Sequence, residues 1–503
     1  MKPPRIAARA GVVGLALLML AVAGDESETA PTSVPVASPE PATVAGRTFM
    51  SRPDLSAPLI QVAGSRASRQ GDRAALGDPV FLAPKDGGPI TGPLIVDADG
   101  EPVWIHPLED TRAYDLRVQE YEGEPVLTWW RGQNLGIGYG FGDYVIMDRS
   151  YRVIAKVTTR GSSADHHGMT LTDDGTALLI TYRKVPRDLT ALGGPEDGWV
   201  VDCVVQEIDV ATGKVVFSWS GIDHVPIADT KIRIGPYTQV DGTFGFPLDY
   251  LHVNSVTEDD DGSLLISARN THAVYRVDRE TGEVDWVLGG SASDFRMLGN
   301  AEFAWQHDAQ RQPDGTITLF DNEAGPAVGE QSRGLRLDLD VAARTARVVT
   351  EYLPPDGRLS SSQGNLYVRD NGNVFIGWGG LPFYSEYARD GELLLDAQLL
   401  GGASYRAFRM PWIGEPTEPP ALAVDDGTAY VSWNGATEVA AWRFLAGADA
   451  ASAKVVATTP RTGFETSAPV PDEPYVAVQA LDADGRVLAT AEPGMGASGT
   501  IWP

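Results

Sequence analysis

Apolar and polar residues alternate over short runs, and most runs are entered through a turn built on an acidic residue or Asn followed by Gly. "DADGEPVWIHP", "TDDGTALLITYR", "DDDGSLLISARN", "QPDGTITLFDN" and "RDNGNVFIGWGG" repeat this unit, four of the turns falling on Gly175, Gly262, Gly315 and Gly372. A period of two predicts strands with one buried face, and the turn residues predict hairpins. A second unit, a Thr-Gly turn feeding a tryptophan strand, follows in "ATGKVVFSWSG" and "ETGEVDWVLGG". Each repeat therefore holds about four short antiparallel strands. No stretch carries a 3.6-residue apolar period, and 191–198 and 401–416 read as loops. The expected fold is all-β: a six-bladed β-propeller over 47–412, with units starting near Gly92, Asp115, His167, His252, His307 and Gln363. In 413–503, "GTAYVSWNGATEVAAWRF" and "PYVAVQALDADGRVLAT" alternate at the spacing of a small Ig-like β-sandwich, expected to be a structural or docking appendage.

Composition narrows the partners. Against 40 basic residues stand 68 acidic ones, a net charge of −28 over 503 residues. Such a chain repels nucleic acid and anionic membrane surfaces, so a bound anion must be held by a local cationic site. The single cysteine, Cys203, excludes an intrachain disulfide and lies in the apolar strand "WVVDCVVQEID", where a buried inert thiol is expected. Lys2, Arg5 and Arg9 precede an apolar run from Gly11 to Val22 and an A-x-A site at Ala21–Ala23, which predicts an export signal over 1–23 that is cleaved and releases the protein. An uncleaved anchor is the alternative. Residues 24–46, rich in Pro, Thr, Ser and Ala, read as a disordered tether, and no later stretch is apolar and long enough to span a membrane.

The histidines line up with the repeat. His167 and His307 each precede their turn glycine by eight residues, His252 precedes its own by ten, and Gln363 by nine. The first strand of a propeller blade lines the central channel, so these residues are expected to converge at one end of it. Asn254, two residues after His252, is expected on the same strand face. Arg269 ends the apolar run "LLISARN", where a charge calls for an anionic partner, either a bound ligand or a rim carboxylate. Histidines, Asn and Arg together suit an oxyanion. A metal is the rival reading, since three histidines can ligate Zn²⁺ or Fe²⁺, but a guanidinium beside a metal ion is repelled.

On "DHHGMTLTDDGTALLITYR", "DYLHVNSVTEDDDGSLLISARNTHAVYRVD", "WQHDAQRQPDGTITLFDN" and "NGNVFIGWGG", the sequence resembles the bacterial arylsulfotransferase family, over about 47–412. The resemblance implies secreted or periplasmic enzymes that use no nucleotide sulfate donor and whose nucleophilic histidine becomes transiently sulfated. By motif that histidine is His307. His252 and Asn254 fall on sulfuryl-binding positions and Arg269 on the Ser-x-Arg arginine. The upstream pair points to His167, with His166 less favoured, and Gln363, from its place in the repeat and not from the resemblance, is added as a substrate-binding residue. The implied substrates are an aryl sulfate donor and a phenolic acceptor, with no cofactor and no metal. A non-catalytic propeller that binds glycan or protein, and a metal-dependent propeller lyase or oxygenase, are the other readings.

Overall fold

The structure, a computed structural model, describes residues 46–64, 77–85, 87–134, 136, 138–235 and 246–493. The expected signal and most of the tether lie outside the described residues. The protein is nearly all-β: among the described residues the helical turns are Gly221–His224 and three 3₁₀ segments. None of these is long and apolar enough to cross a membrane.

Among the described residues, six sheets of four or five strands follow one another from residue 80 to residue 409. The second sheet runs Arg112–Tyr121, Glu124–Asn134, Gly140–Met147 and Val153–Val157, and the third Thr170–Leu171, Thr176–Arg187, Gly198–Asp209 and Val215–Ser220. The fourth comprises Val253–Glu258, Leu264–Ala268, Ala273–Val277 and Val284–Gly289. The fifth comprises His307–Arg311, Ile317–Asp321, Arg333–Asp340 and Thr345–Tyr352, with Arg296–Leu298 added in parallel at its edge. The sixth holds Asn365–Val368, Val374–Gly377, Phe383–Tyr387 and Leu393–Leu400, and Leu59–Ala63 from the start of the chain adds a fifth strand. In each, consecutive strands pair antiparallel, as hairpin turns require. Each sheet touches the next, and the sixth touches the first.

The turns explain the repeat. Gly175, Gly262, Gly315 and Gly372 have φ between 73° and 86°, and each donates its N–H to the carbonyl three residues back. A side chain there would be strained, which is why glycine recurs at this step.

The first sheet departs from the sequence reading. Val80–Leu82, Leu94–Val96 and Pro102–Ile105 take their edge strand from Phe408–Arg409, with Phe408 paired to Phe81 and Arg409 to Val80. The stretch 401–416, read as loop, thus contains Ala403–Ser404 and Phe408–Arg409. Two-residue strands show no period, and their partners lie at the other end of the chain.

Beyond residue 413, a three-stranded sheet (Ala421–Asp425, Thr428–Ser432, Glu465–Pro469) and a four-stranded sheet (Ala441–Gly447, Lys454–Pro460, Tyr475–Leu481, Val487–Ala491) share one apolar core around Trp442, Phe444 and Val478. This unit is tied to the rest. Tyr151 Oη donates to the Gly435 carbonyl at 2.7 Å, and Asn434 exchanges side-chain hydrogen bonds with the backbone of Ile105. Cys203 is fully buried, and burial pushes its thiol well above the ordinary range, as its apolar strand implied.

Candidate functional site

The three histidines stand at or just before the first strands of the third, fourth and fifth sheets. His307 opens its strand, His252 stands one residue ahead of Val253–Glu258, and His167 precedes Thr170–Leu171 by three. Backbone irregularities mark these heads. Asp115, His252, Asp308 and Gln363 all have φ between 53° and 66°, and the pairing register shifts after Tyr114, Val253 and His307. Non-glycine residues in this region cost roughly 1–3 kcal/mol each and persist where surrounding contacts over-determine them. The bulges turn side chains out of strict alternation.

The His167 and His252 rings lie 4.8 Å apart, edge to face. Each is backed by a carboxylate at Nδ1: Asp249 Oδ2 is 2.5 Å from His252, and Asp165 Oδ1 meets His167. His307 differs. Its Nδ1 lies 2.7 Å from Asn322 Oδ1 and 3.1 Å from the Trp305 carbonyl, both acceptors. Asn322 cannot turn round, because its Nδ2 donates to the carbonyls of Ser360 and Gln363, each at 3.0 Å. His307 therefore carries its proton on Nδ1, and its Nε2 accepts the Gln363 N–H at 3.1 Å. Burial, and then the Arg269 charge, hold the His307 imidazole well below its usual range, so it is neutral at physiological pH. His167 and His252 also bear electrostatically on His307, and burial holds His167 low too.

Arg269 is the cation of the group. It lies 4.8 Å over the Trp305 ring, and its N–H groups go to Asn270 Oδ1 and to the Gly325 and Ser361 carbonyls. No carboxylate pairs with it among the described residues, and its buried Nε–H has no partner. The rim ion pair weighed for this residue is not what the structure contains. A mostly buried guanidinium held only by carbonyls keeps its charge available to an anion.

The remaining predicted residues take different positions. Asn254 falls in the bulge after Val253, and its Nδ2 donates to the Gln306 carbonyl at 2.6 Å, tying the fourth sheet to the fifth. The bulge breaks the alternation that put it on the His252 face, and its Oδ1 is buried without a partner. His166 stacks on His167 among Tyr114, Trp130 and Tyr405, and burial pushes it down to about 3, so it packs as a neutral aromatic ring. Gln363 contributes its backbone N–H to His307, while its side chain accepts from Lys85 and donates to Ser362.

Sequence reasoning missed Asp249, Asn322, Lys85 and Arg406. Arg406 is fully buried beneath His167. It donates to Asp115 Oδ1 at 3.0 Å and to the His167 and Asn254 carbonyls at 3.1 and 3.0 Å, and Asp308 lies 3.7 Å away. Burial opposes its charge, but Asp308 and Asp115 outweigh that and raise it further above its ordinary value. Asp115 and Asp308 hold matching places, each at the left-handed residue of a bulged first strand. The sequence units begin at Asp115 and at His307, one residue before Asp308, so their alignment leaves this match one residue out of step.

Asp165, His166 and His167 offer donor atoms within 4.8 Å of one another. The Asp165 oxygens, however, already accept the Gly140 N–H at 2.7 Å and the His167 N–H at 3.0 Å. The charges of Lys85, Arg406 and Arg269 bear on the two histidines. The cluster has the chemistry of a hydrogen-bonded triad in a cationic setting and suits a metal ion poorly.

Comparison with known proteins supplies the class. The arylsulfotransferase (ASST) family model matches residues 117–399, more than half of the chain. The chain belongs to the arylsulfotransferase family. A search of curated proteins returned no match. Among solved structures, a protein of unknown function from Bacteroides caccae is 13% identical with a TM-score of 0.40, covering 66% of this chain and 98% of its own. Virginiamycin B lyase from Staphylococcus aureus is 11% identical with a TM-score of 0.33, covering 75% and 96%. The β-propeller domain of Cps50 (Swd1) from Myceliophteria thermophila is 13% identical with a TM-score of 0.32, covering 65% and 97%. None of these likenesses is close enough to bear on function. His167, His252, Arg269, His307 and Gln363 lie inside the family match, and Lys85, Asp115 and Arg406 lie outside it.

Proposed function

We propose that the protein is an arylsulfotransferase that moves a sulfuryl group from an aryl sulfate to a phenol through a sulfated His307. The carrying observation is the fixed neutral tautomer of His307, its proton held on Nδ1 by Asn322 and its Nε2 lone pair accepting the Gln363 N–H. In the first step that lone pair forms an N–S bond while the S–O bond of the donor breaks, its electron pair leaving on the phenolate. Sulfuryl transfer resembles phosphoryl transfer: charge spreads over three equatorial oxygens, so catalysis rests on positioning and electrostatic clamping. Arg269 supplies the clamp, and the Gln363 N–H turns from Nε2 to a sulfuryl oxygen once sulfur occupies that nitrogen. An Asn behind Nδ1 suits a nucleophile better than a carboxylate would, because a carboxylate favours the protonated, non-nucleophilic ring.

The same reading covers the architecture. The six sheets are blades of a propeller over 47–412, closed where Phe408 pairs with Phe81, and 413–503 is an Ig-like sandwich. The protein is secreted after loss of 1–23, and mass spectrometry of culture supernatant should find a mature start near Gly24; a start at Met1 in a membrane fraction contradicts this.

Turnover of 4-nitrophenyl sulfate with phenol tests the function. Sulfated phenol should form at an unchanged rate after metal chelation. Loss on chelation with recovery on adding a metal would favour the metal-dependent reading, and no turnover with any phenol would favour a binding protein. Arg269→Ala should slow transfer by roughly a hundredfold or more, the scale of losing one oxyanion-stabilising donor, with the thermal unfolding profile retained. A loss under about fivefold would remove Arg269 from the clamp.

A further inference from the structure

We infer that Asp249 is a positioning residue that makes His252 the proton acceptor for the incoming phenol. The inference rests on His307 as the sulfated residue, and it assigns a job to a carboxylate that no motif marks.

Three imidazoles meet in the site, and their backing divides the work. His307 is backed by a neutral amide and is set up to bond sulfur. His167 and His252 are each backed by a carboxylate, which fixes the proton on Nδ1, leaves Nε2 as the base, and stabilises the imidazolium that forms on protonation. The two pairs are not equivalent. Asp165 is fully buried and its oxygens are taken by two backbone N–H groups as well as by His167. His167 is also enclosed, stacked on His166 with the buried Arg406 against its carbonyl. Asp249 has no hydrogen-bonding side-chain partner among the described residues except His252, and its Oδ1 accepts nothing. Its side chain is 21% exposed, against 0% for Asp165. The Asp249–His252 pair is therefore the more exposed of the two, with the His252 side chain 9% exposed against 3% for His167. Its carboxylate is not used up in holding the fold.

The setting of His252 is compact. Asp249, His167 and Tyr182 face its ring directly. Asp165, His166, His307 and Cys203 act on it or are acted on by it electrostatically or through its backbone. The Tyr182 hydroxyl is already donated to the Val253 carbonyl at 2.6 Å, and burial raises it well above its ordinary range, so it does not compete as a base. Gly138 packs against the ring edge, where an added Cβ would stand 3.2 Å from His252 Cε1 and 3.9 Å from its Nδ1.

The step balances. The phenol oxygen attacks the sulfur of sulfated His307 and forms an S–O bond. The N–S bond breaks and its electron pair returns to His307 Nε2. The phenol proton passes to His252 Nε2, whose imidazolium keeps its Nδ1–H on Asp249 Oδ2, and the proton then leaves to water. A phenol is mostly neutral at pH 7, its pKa being about 10, so this transfer matters for ordinary acceptors and not for one already ionised.

The two half-reactions separate Asp249 from everything else. With 4-nitrophenyl sulfate as donor, whose leaving phenolate needs no proton, Asp249→Asn should label His307 at a rate within about threefold of the parent. Discharge of the label to phenol should fall by roughly 10²-fold or more, the scale of general base catalysis, while discharge to an electron-poor phenol that is ionised at the assay pH should fall little. The rate should thus depend more steeply on acceptor pKa in the variant, and Asp249→Glu should recover part of the loss. Equal losses in both half-reactions, or equal losses with neutral and ionised acceptors, would make Asp249 a structural residue and overturn the assignment while leaving His307 as it stands. Failure of the parent protein to label at all would overturn the nucleophile reading, and this inference with it.

Discussion

Incubated with an aryl sulfate alone, the protein should gain about 80 Da, the mass of one SO₃, on a peptide containing His307. The adduct should be acid-labile and should vanish when a phenol is added. His307→Ala should abolish both the label and turnover, because no other imidazole in the site has its Nδ1 proton fixed by a neutral amide. Label on a different residue would reassign the nucleophile, and full turnover in His307→Ala would leave the family fold without this mechanism. Asn322→Asp adds a sharper readout. Burial and the Arg269 charge hold His307 low in the parent, so its labelling rate should have no acid limb from His307 near neutrality. A carboxylate against Nδ1–H raises the pKa of the imidazole. The variant should lose labelling as pH falls through that raised value and regain it above, and an unchanged profile would mean that Asn322 does not set the protonation state.

Arg406→Met should lower stability by about 3–5 kcal/mol in urea unfolding, the range for breaking a buried ion pair by removing one partner. Arg406 is the cation between Asp115 and Asp308, and it also serves the His167 and Asn254 carbonyls. Its loss strands buried acceptors in the second, fourth and fifth sheets and in the segment leading into the third. Adding Asp115→Asn and Asp308→Asn should recover part of the loss, since those carboxylates then no longer need a cation. A loss below about 1 kcal/mol would show that Arg117, 3.6 Å from Asp115, suffices alone.

Much of this was legible because it is local. The turn glycines, the strands they join and the histidines ahead of them lie within a few residues of one another, and period-two patterning reports them. The same logic failed at Asn254, where a bulge follows Val253 and the side chain goes to Gln306 instead of to the His252 face. Asn322 was in plain view at the end of "ITLFDN", but its bond to His307 spans a hairpin that sequence cannot register. Asp249 lies three residues before His252 in irregular chain, where no period places a side chain. Lys85 and Arg406 reach the site from opposite ends of the chain, and neither sits in a patterned run.

The pairing of Phe408–Arg409 with Val80–Phe81 has a consequence for how the molecule comes into being. The Arg409 guanidinium donates to the Asp78 carbonyl across 331 positions of chain, so this seam cannot form until residue 409 has been made, when the hairpins of the other five sheets are already complete. Closing so long a loop is entropically costly and makes for slow assembly. Arg406, two residues before the seam, reaches the underside of His167 only when the seam forms. A chain halted before that point has its histidines without Arg406 against His167, so the histidine cluster should reach its final packing only in one late step.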